Sequence, residues 1–137
     1  MLPKVERLGK RNGFVQTYSL RKTVSTHAMI LYTGMLKTNP ARPVKVWFVV
    51  SKKVFKKAVG RNRVKRLMRE AYRNFRKENE VTVNQWESLI FAAKEHIVEL
   101  NYKQVYDNIV ECLIKAEKKY GNQAIESRQK QHKPYKT

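Results

Sequence analysis

Acidic residues are scarce in this chain, and their scarcity excludes most kinds of protein-based phosphodiester chemistry. Only 11 of its 137 residues are Asp or Glu, and Asp107 is the one aspartate. A metal-dependent phosphodiesterase gathers several carboxylates around one or two divalent ions. The acids of the first 80 residues show no such grouping: they are Glu6, Glu70, Glu78 and Glu80. We therefore predict that the chain has no metal site and no catalytic residue.

Cysteines, histidines and long apolar runs are equally sparse. Cys112 is the single cysteine, so an intrachain disulfide is impossible. The three histidines (His27, His96 and His132) are widely separated, which gives no sign of an acid–base pair for metal-free RNA cleavage. No apolar run approaches the roughly 18 residues of a transmembrane helix, and the start lacks the apolar segment of a secretory signal. We expect a soluble cytoplasmic protein.

What the chain has in excess is positive charge. Its formal net charge is +19 and its pI is about 10.3. The charge is concentrated, because residues 1–80 contain 21 of the 30 Lys and Arg, whereas residues 81–137 offset the other 9 with 7 acids. Hydrophobic residues make up 42%, enough for one globular core. This skew predicts a surface dedicated to a polyanion.

The hydrophobic pattern divides the chain into helices and strands. Short runs rich in β-branched and aromatic residues predict three strands, at 28–33, 44–51 and 88–93. Helical periodicity predicts a short helix from Asn12 to about Leu20 and a long helix along the most basic stretch. The last helix begins after Asn101, which can form a capping box with Gln104, and ends at Gly121.

The order of these elements predicts an α+β fold. Three helices with apolar faces need a sheet to cover, so a two-layer α/β sandwich is the economical arrangement. Residues 1–121 are expected to form a single RNA-binding domain. Residues 122–137 are polar, Gln-rich and basic without periodicity, and they are expected to be a disordered tail.

The long helix carries most of the charge. Its apolar residues recur with helical spacing and form one stripe: Val64, Leu67, Met68, Ala71, Tyr72 and Phe75. At about 100° per residue, four polar side chains fall within about 40° of the opposite pole: Asn62, Arg66, Arg69 and Arg73. From Lys52 to Lys77 there are 12 basic residues and a single acid, Glu70.

Like charges on this helix face repel one another unless a polyanion relieves them. Arg66, Arg69 and Arg73 are spaced i,i+3 and i,i+4, where opposite charges stabilise a helix and like charges destabilise it. Guanidinium groups can fork onto a phosphate and stack on a base. The free N–H groups near Arg61 and Asn62 also suit a phosphate. We predict that this helix binds structured RNA.

The basic segment makes the chain resemble a known family. The RNR signature of the bacterial ribonuclease P protein component is similar to two stretches here, Ser51-Lys-Lys-Val54 and Ala58-Val-Gly-Arg-Asn-Arg-Val-Lys-Arg-Leu-Met-Arg-Glu-Ala-Tyr72. The resemblance covers about residues 5–120. It extends to Arg7-Leu8, Phe14-Val-Gln-Thr-Tyr18 and Ile30-Leu-Tyr32.

The resemblance implies both a fold and a function. The fold would be an αβββαβα sandwich with a small mixed sheet and a left-handed βαβ crossover, which spacing alone could not predict because such crossovers are nearly always right-handed. The function would be that of a protein subunit in ribonuclease P, the endoribonuclease that removes the 5′ leader from precursor tRNA. Mg²⁺-dependent hydrolysis would be carried by the RNA subunit, with no Mg²⁺ site on the protein. The partners would be ribonuclease P RNA and precursor tRNA, with no membrane and no obligate protein partner.

Roles carry over to the positions that match the family's motifs. Contacts to the catalytic RNA are expected from Lys52, Lys53, Arg61, Asn62, Arg63, Lys65, Arg66, Arg69 and Arg73. Contacts to the 5′ leader are expected from Phe14, Tyr18, Tyr32, Lys53, Asn62, Arg66 and Arg69. The pattern alone fits the three aromatic residues equally well to the core. Trp47 and Phe55 depart from the family, because many members have glycine at these positions, and both would bring bulk toward the leader cleft.

Two other functions fit part of the pattern. A ribosomal or ribosome-assembly protein could bind structured RNA through a similar basic helix. A DNA-binding helix protein is the other alternative, but no helix-turn-helix pair is predicted around residues 61–75.

Overall fold

The computed structural model of the protein describes residues 11–37 and 43–121. The predicted tail at 122–137 and the first ten residues lie outside the described part. The helices are α1 (Arg11–Ser19), α2 (Ala58–Glu78), α3 (Glu80–Val83) and α4 (Tyr102–Tyr120), with a 3₁₀ helix at Glu95–Glu99. The strands are β1 (Thr23–Ser25), β2 (Met29–Thr33), β3 (Lys45–Val49) and β4 (Ser88–Ala93). Within these described residues, no helix is both long and apolar enough to cross a membrane.

The described strands form one mixed sheet in the order β1-β2-β4-β3. β2 pairs antiparallel with both β1 and β4, whereas β3 and β4 are parallel neighbours. A parallel pair needs a long crossover connection, and α2 with α3 supplies it. The predicted α+β class, the mixed sheet and the αβββαβα order are confirmed, with α3 and the 3₁₀ helix as short additions. The left hand of the crossover stays a prediction from the resemblance.

One face of the sheet builds the hydrophobic core. Residues paired in register share a face, and Val24, Leu31, Phe91 and Phe48 are paired in this way from β1 across to β3. All four are buried and pack with α2 and α4. Tyr72 of α2 meets Phe48 and Phe91 with ring centroids 6.0 and 5.7 Å apart. α2 and α4 therefore form the helical layer on this face, whereas the two-layer arrangement predicted from the sequence has all three helices cover the sheet in one layer.

Among the described residues, α1 is the element that covers the opposite face of the sheet, and it covers only part of it. Tyr32, Ile90 and Trp47 are paired in register on this face. α1 packs over β2 and β4, and a hydrogen bond between the hydroxyls of Thr17 and Ser88 ties it to the sheet. Ile90 is fully buried here, whereas Trp47 remains 37% exposed. An open strip of sheet therefore lies beside α1.

The predicted ends of α4 are confirmed at the level of single hydrogen bonds. The Gln104 backbone N–H donates to Asn101 Oδ1 at 3.0 Å, and the Asn101 N–H donates to Gln104 Oε1 at 3.0 Å. This reciprocal pair is the capping box that the spacing predicts. Gly121 follows the last turn and its N–H donates to the Glu117 carbonyl at 2.9 Å.

β1 is the strand whose residues the sequence does not reveal. Its three residues (Thr-Val-Ser) are too short for an alternation to stand out, so only the family order implied a third strand before α2. β1 lies at an edge of the sheet, where its outward carbonyls need partners. α4 supplies them, because Tyr120 Oη donates to Thr23 O at 3.3 Å and Lys115 Nζ donates to Ser25 O at 3.1 Å.

Two side chains with ionisable groups, Cys112 and Tyr72, are buried in the core. Cys112 is fully buried, and burial raises the pKa of its thiol to about 12, which keeps it protonated and unreactive near neutral pH. Tyr72 is also fully buried, and its hydroxyl has no hydrogen-bond partner among the described residues. Burial raises the pKa of this phenol far above its ordinary value. The ring, rather than the hydroxyl, accounts for the packing of Tyr72.

We expect Tyr72→Phe to leave the free energy of unfolding unchanged or to raise it. An unsatisfied buried polar group costs roughly 1–3 kcal/mol, and the substitution removes it while keeping the ring. Urea unfolding followed by circular dichroism measures the change. Tyr120→Phe is the matched control, since it removes the hydroxyl that bonds Thr23 O and should destabilise by about 1 kcal/mol. A loss above about 1 kcal/mol for Tyr72→Phe would mean that its hydroxyl has a partner in solution.

Candidate nucleic-acid interface

The structure places the basic side chains of α2 opposite its buried stripe. Val64, Met68, Ala71, Tyr72 and Phe75 face the core, as the periodicity predicts, and Leu67 is half-buried beside them. We call the opposite pole, Asn62, Arg66, Arg69 and Arg73, the arginine face. Asn62 and Arg66 are exposed, and Arg69 and Arg73 are half-buried. Arg63 is exposed and Lys65 half-buried on the flanks of this face.

The residues of the arginine face differ in how they are paired. Arg73 Nη2 donates to both carboxylate oxygens of Glu70, at 2.8 and 2.9 Å. Arg66 and Arg69 form no hydrogen bond or ion pair with any residue that the structure describes. The one acid of this stretch therefore neutralises one arginine, and the other two have no carboxylate partner among the described residues.

The start of α2 is not satisfied by the protein's own side chains. Its N-cap, Lys57, makes no side-chain capping bond, and the first turn contains no acid. The N–H groups of a first turn and the positive end of the helix dipole favour an anion. Basic residues at this end destabilise an isolated helix, because they are repelled by the positive end of its dipole. A bound phosphate would accept from the N–H groups of the first turn and would also offset this repulsion.

Arg61, which the motif assigns to the RNA, points its guanidinium back at the protein. Its Nη1 donates to Phe55 O at 2.9 Å and to Lys56 O at 2.7 Å. Both carbonyls belong to the loop between β3 and α2, and Arg61 is half-buried against them. Lys52 and Lys53 of the same loop are exposed. Sequence reasoning had no signal for this inward contact, because loop carbonyls leave no mark in a residue pattern.

Phe55 packs on the first turn of α2 rather than into the sheet cleft. A Cβ added at Gly60 would lie 2.2 Å from Phe55 Cδ1, so the ring rests directly on that glycine. Phe55 is half-buried and contacts the core cluster. Gly60 leaves room for the Phe55 ring on the helix, and the expectation that Phe55 brings bulk toward the leader cleft stays a prediction.

The open strip of sheet beside α1 is aromatic. Tyr18 of α1 and Tyr32 of β2 meet edge to face, with ring centroids 4.5 Å apart and an interplanar angle of 74°. Both are half-buried, so neither belongs fully to the core nor fully to the solvent. Burial, with a smaller effect of Tyr32, raises the pKa of the Tyr18 phenol. Its ring is therefore uncharged near neutral pH.

Trp47 and Val15 extend this strip. Trp47 aligns through Ile90 with Tyr32, and Val15 on α1 is 55% exposed. We call the surface formed by Val15, Tyr18, Tyr32 and Trp47 the aromatic face. The expectation that Trp47 brings bulk near the leader cleft stays a prediction. Phe14 lies within α1, but its side chain lies outside the described part of the structure.

Groups suited to bond-making chemistry are few on the described surface. No group of three or more His, Cys, Asp and Glu among the described residues could hold a metal ion. Two histidines that are distant in sequence meet in the fold: His27 and His96 stack with ring centroids 4.4 Å apart and planes at 18°. The pair sits between the β1–β2 turn and the 3₁₀ helix, 69 residues apart in sequence, where no spacing rule could find it. Stacked rings do not hydrogen-bond each other, so this is not an acid–base pair.

Comparisons with known proteins agree with this geometry. The family model for ribonuclease P matches residues 2–117. The ribonuclease P protein component of Alkaliphilus oremlandii is 35% identical over 111 residues, covering 81% of this chain and 90% of that protein. The same component of a Picosynechococcus strain is 31% identical over 121 residues, covering 88% and 98%.

Solved structures show the same fold. The ribonuclease P protein of Staphylococcus aureus superposes with a TM-score of 0.68 at 24% identity, covering 87% of this chain and all of that one. The ribonuclease P protein of Thermotoga maritima gives a TM-score of 0.64 at 20% identity, covering 79% and 94%. The chain therefore belongs to the family of the ribonuclease P protein component, the protein subunit of the ribonucleoprotein that processes the 5′ ends of tRNA.

Proposed function

We propose that the protein binds the catalytic RNA of ribonuclease P through the arginine face and holds the 5′ leader of precursor tRNA on the aromatic face. The observation that carries the proposal is the pair Arg66 and Arg69, which stand opposite a buried stripe without any partner among the described residues. Unpaired like charges on a rigid helix are stabilised when phosphates replace the missing counter-charges. Arginine suits this role because its fork matches a phosphate.

In this proposal the hydrolysis belongs to the RNA subunit. The single aspartate of the chain lies on α4, and Glu70 beside the arginine face is already occupied by Arg73. A carboxylate held by a guanidinium is a poor ligand for a divalent ion, so the residues present do not fit a Mg²⁺ site. Mg²⁺ would be bound by the RNA, and the protein would supply positive charge and orientation in the cytoplasm.

The aromatic face supports binding of a single strand without sequence preference. Single-stranded nucleic acids bind where bases stack on aromatic rings beside a cationic groove, because every base has a π-face. Tyr18 and Tyr32 present partly exposed rings, and Trp47 adds the largest one. Leaders of varied sequence need this kind of tolerant contact.

Reconstitution with a bacterial ribonuclease P RNA tests the proposal directly. At low Mg²⁺, adding the wild-type protein should increase cleavage of precursor tRNA, and the protein without RNA should cleave nothing. The control is Lys103→Ala combined with Lys118→Ala, which removes two exposed charges from α4 and should still stimulate cleavage. Cleavage by the protein alone, or no stimulation by the wild type, would contradict the proposed division of labour.

Arginines of the arginine face should differ in their effect on the salt dependence of RNA binding. The affinity falls as salt rises, and each lost phosphate contact reduces the magnitude of the slope of log K against log salt by roughly 0.7–0.9. We expect Arg66→Ala and Arg69→Ala each to reduce the magnitude by about this amount. Arg73→Ala should reduce it less, because Glu70 already neutralises that side chain. Filter binding at several salt concentrations gives the slopes. Equal slopes for the wild type and the Arg66→Ala, Arg69→Ala double variant would mean that the RNA binds a different surface of the protein.

Tyr18→Ala and Tyr32→Ala should weaken binding of substrates that have a leader. A lost base–aromatic stack costs about 1–3 kcal/mol, so we expect roughly a 5- to 150-fold loss for precursor tRNA and little change for mature tRNA. Affinities of the reconstituted ribonucleoprotein for the two RNAs measure this difference. Circular dichroism checks the folding of each variant. An equal loss for both RNAs in folded variants would return these residues to a purely structural role.

A further inference from the structure

The loop between β3 and α2 concentrates positive charge next to the arginine face. Residues 51–57, here called the lysine loop, include four exposed lysines: Lys52, Lys53, Lys56 and Lys57. The Val54 and Phe55 N–H groups both donate to Ser51 O, at 3.1 and 3.2 Å, which closes a tight turn at the start of the loop. These lysines repel one another, so the loop needs other contacts to hold one conformation.

Arg61 provides one such contact from the first turns of α2. Its Nη1 reaches back across the loop to two successive carbonyls, Phe55 O at 2.9 Å and Lys56 O at 2.7 Å. The N–H of Arg61 also donates to Lys57 O at 3.2 Å. A guanidinium bonded to carbonyl dipoles is satisfied, and turning it outward to a phosphate would break both of these bonds.

Phe55 provides the second contact, on the other side of the same turn. Its ring lies against Gly60, where a Cβ would come within 2.7 Å of three ring carbons. The ring is half-buried and touches the core cluster. Two contacts therefore hold the end of the lysine loop against α2: an apolar contact of Phe55 with Gly60, and the hydrogen bonds from Arg61 to the loop carbonyls.

We propose that Arg61 is a positioning residue, which holds the lysine loop against α2 so that its lysines meet the RNA as a preformed cationic array. The inference rests on the proposed RNA-binding function and assigns Arg61 a role different from that of Arg66 and Arg69. Preformed charges bind more tightly because the loop is not ordered at the moment of association. A direct phosphate ligand would instead act independently of the loop.

Limited trypsin digestion of the free protein tests the positioning step without any RNA. The lysine loop is itself a set of trypsin sites, and mass spectrometry can follow cleavage after Lys52, Lys53, Lys56 and Lys57. Arg61→Met should raise the rate of cleavage in the loop several-fold, because local opening exposes the backbone. Arg66→Met, which also removes one charge and one trypsin site from α2, is the matched control and should leave that rate unchanged.

Gly60→Ala is a second variant that reaches the same loop from its apolar side. Alanine normally stabilises a helix relative to glycine, but here its Cβ would displace the Phe55 ring. We expect faster cleavage of the loop in Gly60→Ala. In the Phe55→Gly, Gly60→Ala double variant, which keeps Arg61, the rate of cleavage should be normal only if Arg61 alone can hold the loop. A normal rate in the Gly60→Ala single variant would show that the Phe55 contact is dispensable.

A double-mutant cycle tests the link to RNA. In the wild-type loop, Arg61→Met and Arg66→Met should each weaken binding to ribonuclease P RNA. In a background with Lys52, Lys53 and Lys56 changed to Ala, Arg61→Met should weaken RNA affinity less than about twofold, because few lysines are left to position. Arg66→Met should weaken RNA affinity in this background as much as it does with the wild-type loop. Coupled residues commonly deviate from additivity by about twofold or more, which binding assays resolve.

Each result supports the proposal or overturns it. Unchanged loop cleavage in Arg61→Met, or an equal cost of Arg61→Met in both backgrounds, would make Arg61 a direct RNA ligand or an inert residue and overturn the inference. If no variant, including Arg66→Met, changes RNA affinity, the proposed function fails at this surface, and digestion of the free protein still decides whether Arg61 holds the loop.

Discussion

Burial of the apolar stripe of α2 orients the rest of the molecule. Tyr72 packs against Phe48 and Phe91 of the sheet, and Val64, Met68 and Phe75 are buried along the same stripe. Each such side chain contributes roughly 1.5–3 kcal/mol on burial, whereas a repulsive pair of exposed charges on a helix costs only a few tenths. The hydrophobic contact therefore decides how the helix lies. The arginine face must then point away from the core, however strongly its charges repel.

The chain manages this repulsion in several local ways. Glu70 accepts from Arg73, and the carbonyls of Phe55 and Lys56 accept from Arg61, so two of the arginines have partners within the protein. Arg66 and Arg69 have no such partners among the described residues. The basic segment thus contains arginines with different partners, although the sequence presents them as one basic run. Backbone carbonyls can also accept from a guanidinium, which offers five donors.

Alternation of side chains across the sheet places the aromatic face on the side opposite the core. The in-register row from Val24 to Phe48 closes the core, and the neighbouring row from Tyr32 to Trp47 is turned to the other side. α1 is only nine residues long and covers part of that side, which leaves Tyr18, Tyr32 and Trp47 partly exposed. The same strands therefore build the hydrophobic core on one face and the aromatic face on the other.

The sequence by itself determined the features that depend on local spacing. The apolar stripe of α2, the opposite arginine face, the capping box of α4 and strand β4 all follow from residues a few positions apart, and the structure confirms each of them. The family resemblance added the element order. Tertiary structure alone decided what depends on residues distant in sequence or on backbone atoms: the edge contacts of the short strand β1, the stack of His27 on His96, the seat of Phe55 on Gly60 and the inward turn of Arg61. These contacts are invisible in a residue pattern, because a carbonyl oxygen or the missing side chain of a glycine becomes a partner only after the chain has folded.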